Sequence, residues 1–76
     1  MTEIRTDKQQ TKAWKIFLAD HDMSVYKLAK EAGLPYTTIQ NGMKRDIGKM
    51  QIDTVTAIVN VFGLSIDDFV KQIRYK

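Results

Sequence analysis

Residues 24–45 are SVYKLAKEAGLPYTTIQNGMKR. Two short helices and one tight turn account for this stretch. Ser24 is a natural N-cap, because its hydroxyl oxygen can accept from an orphan amide in the first turn. Met23 stands just before it, at the hydrophobic-staple position. Val25, Leu28, Ala29 and Ala32 follow at i, i+3, i+4 and i+7, one apolar stripe on a helix over about residues 24–32. Gly33 ends that helix, since a positive φ costs glycine little. Leu34-Pro35 leads into a second helix over about residues 35–45, with proline suited to its first position. At about 100° per residue, Tyr36, Ile39 and Met43 fall on one side of this second helix. Thr37, Gln40, Asn41 and Lys44 fall on the other. An outer face of amides and hydroxyls, in place of Glu/Lys pairs, is unusual for a helix that meets only water.

The flanks extend the helical pattern. Residues 1–8 are polar and aperiodic apart from Ile4, which predicts a mobile N-terminal arm, and residues 9–76 form a single domain. Ala13, Trp14, Phe17 and Leu18 place a helix from about Gln9 to Asp20, which His21-Asp22 breaks. After the central stretch, Asp46 to Lys49 make a loop. Gln51 or Asp53 caps a fourth helix carrying Val55, Ile58, Val59 and Phe62, and Gly63 stops it. Ser65 with Asp68 resembles a capping box for a fifth helix that carries Ile66, Phe69, Val70 and Ile73. The expected fold is all-α, a five-helix bundle without strands.

Length and composition bound the possibilities. The chain has 76 residues and no cysteine, which suits one small domain without disulfides or a thiolate metal cage. Area scaling gives a folded surface of roughly 4,800 Å² against roughly 12,800 Å² unfolded, enough for one modest core. There is no apolar secretory region and no apolar run near the roughly 20 residues that span a bilayer, so a cytoplasmic location away from membranes is expected. Net charge is +3. Residues 1–22 and residues 51–76 each balance to zero. The whole excess comes from the middle, where Lys27, Lys30, Lys44, Arg45 and Lys49 face only Glu31 and Asp46. A basic patch on a small domain favours a polyanion partner; a merely solvated face is the plainer alternative.

The residues are poorly supplied for catalysis. Ser24 and Ser65 are used as caps, and no cysteine nucleophile exists. The one histidine, His21, ends the first helix, where a satisfied or solvated side chain is the ordinary case. No metal-ligand set converges, and the four glycines are scattered as stops and turns. No enzyme activity, metal or cofactor is expected. Trp14, Phe17, Phe62 and Phe69 sit at core spacing. What remains is recognition. Two helices joined by a short glycine-containing turn form a helix-turn-helix unit, whose second helix fits a major groove about 12 Å wide. Gln and Asn bond adenine, threonine methyls meet thymine methyls, and lysine reaches guanine or phosphate. Thr37, Gln40, Asn41 and Lys44 match that vocabulary, and Lys44, Arg45 and Lys49 would hold phosphates.

At this point the chain resembles the Cro/CI-type (XRE-like) helix-turn-helix family of bacterial and phage transcriptional regulators. The resemblance rests on Ser24, Leu28-Ala29, the spacing from Ala29 to Gly33, Leu34, Ile39, Asp53-Thr54-Val55 and Phe62-Gly63-Leu64-Ser65 before Asp67-Asp68-Phe69. It covers about residues 10–70. It implies a compact five-helix, lambda-repressor-like DNA-binding domain, operator binding and commonly a two-fold dimer. Position by position, Ser24 and Val25 would lie near backbone phosphates. Tyr36, Thr37 and Asn41 would face bases, with Gln40 beside them. This adds Tyr36, with its ring packed and its hydroxyl toward DNA. Two residues depart from the family pattern. Gly42 stands where a large apolar residue is usual, which predicts a short or kinked helix with Met43 filling the gap. Pro35 replaces the usual Ser/Thr cap.

The leading expectation is a sequence-specific double-stranded DNA-binding regulator, a repressor. The alternative is a protein-interaction module on the same scaffold, an antirepressor, antitoxin-like partner or structural subunit. The apolar residues Ile66, Val70, Ile73 and Tyr75 suggest a weak homodimer through the fifth helix and the residues after the fourth. With no effector domain, a small-molecule effector is not expected.

Overall fold

Thr6 starts the first helix. Its Oγ1 accepts from the Gln9 amide at 3.2 Å, and the Gln9 side chain accepts from the Thr6 amide at 2.9 Å, a complete capping box. In the computed structural model, which describes residues 3–76, α1 therefore runs Asp7–Asp20, two residues earlier than the apolar spacing suggested. It is followed by α2 (Val25–Ala32), α3 (Tyr36–Met43), a 3-10 turn (Ile47–Lys49), α4 (Ile52–Phe62) and α5 (Ile66–Arg74). Among the described residues, no helix is long and apolar enough to cross a membrane.

The central stretch has the local devices its sequence called for. Ser24 Oγ accepts from the Lys27 amide at 3.0 Å. Gly33 closes α2 at φ +70°, a left-handed conformation open to glycine at little cost, and the Leu34 amide returns to the Ala29 carbonyl at 2.9 Å. Ala29 is buried in the core on the inner face of α2, where a larger side chain would have to displace its neighbours.

Every helix sends at least one fully buried side chain to the centre: Trp14, Leu28, Ile39, Ile58, and both Phe69 and Ile73. The aromatic residues meet edge to face. Trp14 and Phe69 have ring centroids 5.0 Å apart, and Phe17 lies 4.8 Å from Phe62 and 5.2 Å from Phe69. Such pairs add about 0.5–1.5 kcal/mol each beyond area burial. The accessible surface, 4999 Å², is close to the size-scaled expectation of roughly 4,800 Å².

Five further details differ from the sequence expectations. The segment expected to be a mobile arm is tied down where it is described: the Arg5 amide donates to the Arg74 carbonyl at 2.7 Å, and the Lys76 amide donates to the Glu3 carbonyl at 3.0 Å, around an antiparallel bridge between Ile4 and Tyr75. Residues 1 and 2 of that arm lie outside the described residues. Helix α3 is shorter than 35–45. Pro35 is its N-cap in extended conformation, and the helical bonding closes at Lys44. Gln51 precedes α4 without a side-chain cap bond, and Asp53 lies inside the first turn. Met50, rather than Met43, fills the space left by Gly42, since Met43 is already buried in the core. Ile73, expected as surplus apolar surface, is fully buried; Ile66, Val70 and Tyr75 remain half-buried.

Candidate nucleic-acid interface

Helix α3 holds eight residues, and its two sides differ sharply. Ile39 and Met43 are buried, while Thr37, Gln40 and Asn41, with Lys44 at the C-cap, are exposed. The sequence wheel is reproduced for those residues. It misplaced Tyr36, which is 42% exposed and lies outside the buried row. The first residue of a helix has no preceding turn to hold its ring inward.

The rest of the candidate set lies on the flanking segments, at the start of α2 and from the end of α3 to Lys49. Ser24 is exposed at the start of α2. Its oxygen accepts from Lys27, which leaves its hydroxyl hydrogen free to donate. Val25 packs half-buried against the core, and its amide is among those a helix N-terminus leaves unpaired. Lys44 and Arg45 are exposed and carry no ion pair among the described residues. Lys49 is exposed at the end of the 3-10 turn.

Asp46 is the one acid within this basic run, and its charge is answered from elsewhere. Its carboxylate lies 3.3 Å from Arg74 Nε of α5 and accepts from the Gly48 amide at 2.7 Å. Burial alone would raise its pKa. The Gly48 and Gln10 hydrogen bonds and the Arg74 and Lys49 charges outweigh that and hold it below the ordinary 3.8. Arg74 is the cation that pairs directly with this acid, and Arg45 and Lys49 form no ion pair with it among the described residues.

Between the C-terminal half of α3 and the start of α4 lies an open groove of about 340 Å³, lined by Thr38, Asn41, Arg45, Lys49 and Gln51 among others. Thr38 was not singled out in the sequence, and Gln51 was read there only as a candidate cap of the fourth helix. Thr38 is polar and adjacent to Thr37, which is only a weak signal. Two further residues, Gln10 and Thr11, hold the site from behind. Thr11 Oγ1 donates to the Met43 carbonyl at the end of α3, and Gln10 Oε1 accepts from the Ile47 amide at 2.8 Å. A signal for Gln10 did exist: Gln10, Trp14 and Phe17 stand at i, i+4 and i+7, which places a polar residue on the core stripe of α1.

His21 needs no functional role. Its Nδ1 donates to the Phe17 carbonyl at 2.9 Å, and its ring lies against Phe17 and Phe62.

The arrangement, an outward helix of amides and hydroxyls flanked by unpaired cations and braced by a second helix across one glycine turn, suits a polyanion with readable edges. Comparison with curated proteins and with solved structures gave no significant match. The profile of one family, described as a Cro/C1-type HTH DNA-binding domain, matches residues 15–73. That span takes in α2, the turn, α3, α4 and nearly all of α5, and the chain belongs to the Cro/C1-type helix-turn-helix family of DNA-binding regulators.

Proposed function

We propose that this protein is a sequence-specific repressor that reads double-stranded DNA by laying α3 in the major groove. The observation that carries the reading is the outer face of α3, where Thr37, Gln40 and Asn41 are exposed while Ile39 and Met43 are committed to the core. These side chains can discriminate bases and have little else to do there. Gln40 and Asn41 offer bidentate pairing to adenine, and Thr37 offers a methyl to thymine. Tyr36 offers its hydroxyl at the helix start. Eight helical residues extend about 12 Å, enough to follow three or four base pairs. Lys44, Arg45 and Lys49 on one side, with Ser24 and the Val25 amide on the other, would hold phosphates on both strands and set the register. Repression is the favoured sense because occluding a promoter requires only that the site be held, which is what this face supplies.

A weak homodimer forms part of the proposal. The half-buried side chains Ile66, Val70 and Tyr75 are the apolar surface that α5 and its end still offer to a second copy. Two copies would protect half-sites about 34 Å apart. Sedimentation showing only monomer at high concentration, with and without DNA, would remove this part.

Selection of bound sequences from random duplex DNA tests the whole reading. A preferred site should emerge, and Thr37→Ala with Asn41→Ala should abolish the preference while the helical signal and melting stay intact. If no site emerges, or the double variant keeps the same preference, α3 does not read bases and the scaffold serves protein contacts instead.

A further inference from the structure

Two polar side chains are buried among the described residues, Thr54 and Gln10, and only Gln10 is fully enclosed. Burying a primary amide is unfavourable unless its donors and acceptor are used, and leucine would suit that stripe of α1. Gln10 is held by bonds to distant chain segments. Its Nε2 donates to the Arg5 carbonyl at 2.9 Å, and its Oε1 accepts from the Ile47 amide at 2.8 Å.

These bonds complete a ring. The Arg5 guanidinium donates to the Gln72 and Ile73 carbonyls at 2.7 and 3.2 Å, which closes the end of α5. Arg74 of α5 pairs with Asp46. Asp46 precedes Ile47, and Ile47 returns through Gln10 to Arg5. The segment thus fixed is the α3–α4 connection, which carries Arg45 and Lys49. The buried Ile47 side chain and the Asp46–Arg74 pair hold that connection through its side chains. The Gln10 bond to the Ile47 amide ties its backbone to α1. One residue along α1, Thr11 grips the last carbonyl of α3.

We propose that Gln10 is a positioning residue for DNA recognition: without touching DNA, it locks the α3–α4 connection, and with it Arg45 and Lys49, to α1 and the joined chain ends. The proposal rests on the DNA-reading function above.

The test uses the full chain, a duplex carrying the site that wild type selects, and a scrambled duplex of equal length. Gln10→Leu fills the volume but makes neither bond. It should stay helical and melt cooperatively, lose about 10-fold in affinity for the selected duplex, comparable to one good base contact, and change less than about twofold on the scrambled duplex, where aim matters little. Gln10→Glu supplies a readout that a volume effect would not move. Its carboxylate can accept from Ile47 but cannot donate to the Arg5 carbonyl. The charged groups of the segments it bridges are Asp46 and Lys49 of the connection, Arg74 of α5, which pairs with Asp46, and Arg5 of the N-terminal segment. Burial and Asp46 both favour its protonated form as pH falls, and that form restores donor and acceptor together. Relative to wild type at the same pH, Gln10→Glu should therefore recover selected-site affinity between about pH 8 and pH 5.5, while the Gln10→Leu ratio stays flat. A folded Gln10→Leu that keeps the wild-type preference overturns the proposal, as does a Gln10→Glu ratio that ignores pH; should Gln10→Leu fail to fold, the Gln10→Glu ratio decides. If wild type selects no site, the DNA-reading function falls first, a result distinct from failure of Gln10 alone.

Discussion

Gly42 sits one residue before the end of α3, and what replaces it there measures how that helix is packed. A Cβ built at this position collides with the Cε methyl of Met50, with Sδ at 3.7 Å and Cγ at 3.9 Å. Two effects oppose each other in Gly42→Ala. Helix propensity favours alanine by up to about 1 kcal/mol. Against it, the Met50 methyl must leave its place. That forfeits up to about 0.8 kcal/mol of burial, less because Met50 is only half-buried, plus about 0.5–1.5 kcal/mol where the new rotamer is strained. The single substitution should therefore change stability by less than about 1 kcal/mol in either direction. The informative quantity is the coupling. In a Met50→Ala background the colliding atoms are gone, so alanine at 42 gains its full propensity and fills part of the space. A double-mutant cycle by urea denaturation should give a coupling of about 1–2 kcal/mol, with Gly42→Ala more favourable when Met50 is absent. In a domain of this size, about 1 kcal/mol also appears as a shift of roughly 4–8 °C in Tm. If the two changes add within about 0.5 kcal/mol, the sites are independent and the packing argument is wrong.

Two further predictions concern charge. The folded Asp46 carboxyl titrates below 3.8, so its ionised form favours folding above that value and the benefit fades as pH falls through the lower folded pKa. With the side chains of Asp46 and Arg74 19% and 33% exposed, solvent screening limits the contribution to about 0.5–1 kcal/mol. Asp46→Asn should be destabilised by that amount at pH 7 and converge on wild type below about pH 4; a gap that persists unchanged to pH 2.5 in acid-denaturation curves would contradict the assignment. Lys44→Ala and Arg45→Ala should each weaken binding to selected and scrambled duplexes alike, and each should reduce the slope of log affinity against log salt by about 1. An unchanged slope would place those side chains off the phosphates.

How much of the fold could be read from the chain depended on the range of the interactions. Helix α2 was legible nearly to the residue because its signals are local: the Ser24 hydroxyl, a stripe repeating every turn, and a glycine that accepts φ +70°. The beginning of α1 was missed for a different reason. Thr6 and Gln9 form a capping box, but apolar periodicity ignores polar pairs, so the helix was started inside it. The anchoring of Glu3 and Arg5 had no local trace. Their partners, Lys76 and Arg74, stand about 70 positions away, and only closure of the bundle brings them together. Ile73 shows the same limit in the core. Its spacing identified an apolar stripe on α5, but which neighbour covers it is a tertiary fact.

The candidate site divides along the same line, and the division bears on specificity. Which side chains α3 turns outward follows from a period of 3.6 and a buried Ile39, so Thr37, Gln40 and Asn41 could be named in advance. Where that helix points does not follow from α3 at all. Its last carbonyl is gripped by Thr11, its penultimate residue lies under Met50, and the connection after it is pinned by Gln10 and Asp46. None of these four lies within α3. A base contact worth about 1–3 kcal/mol requires hydrogen-bond geometry held within a few tenths of an ångström. On the proposed reading the outward residues offer a vocabulary, while α1 and the α3–α4 connection would fix the register in which it is used. Gly42, which looked like a defect in the helix, is part of that second set. It is the gap into which Met50 fits, so the irregular position in α3 is where the helix is joined to its support.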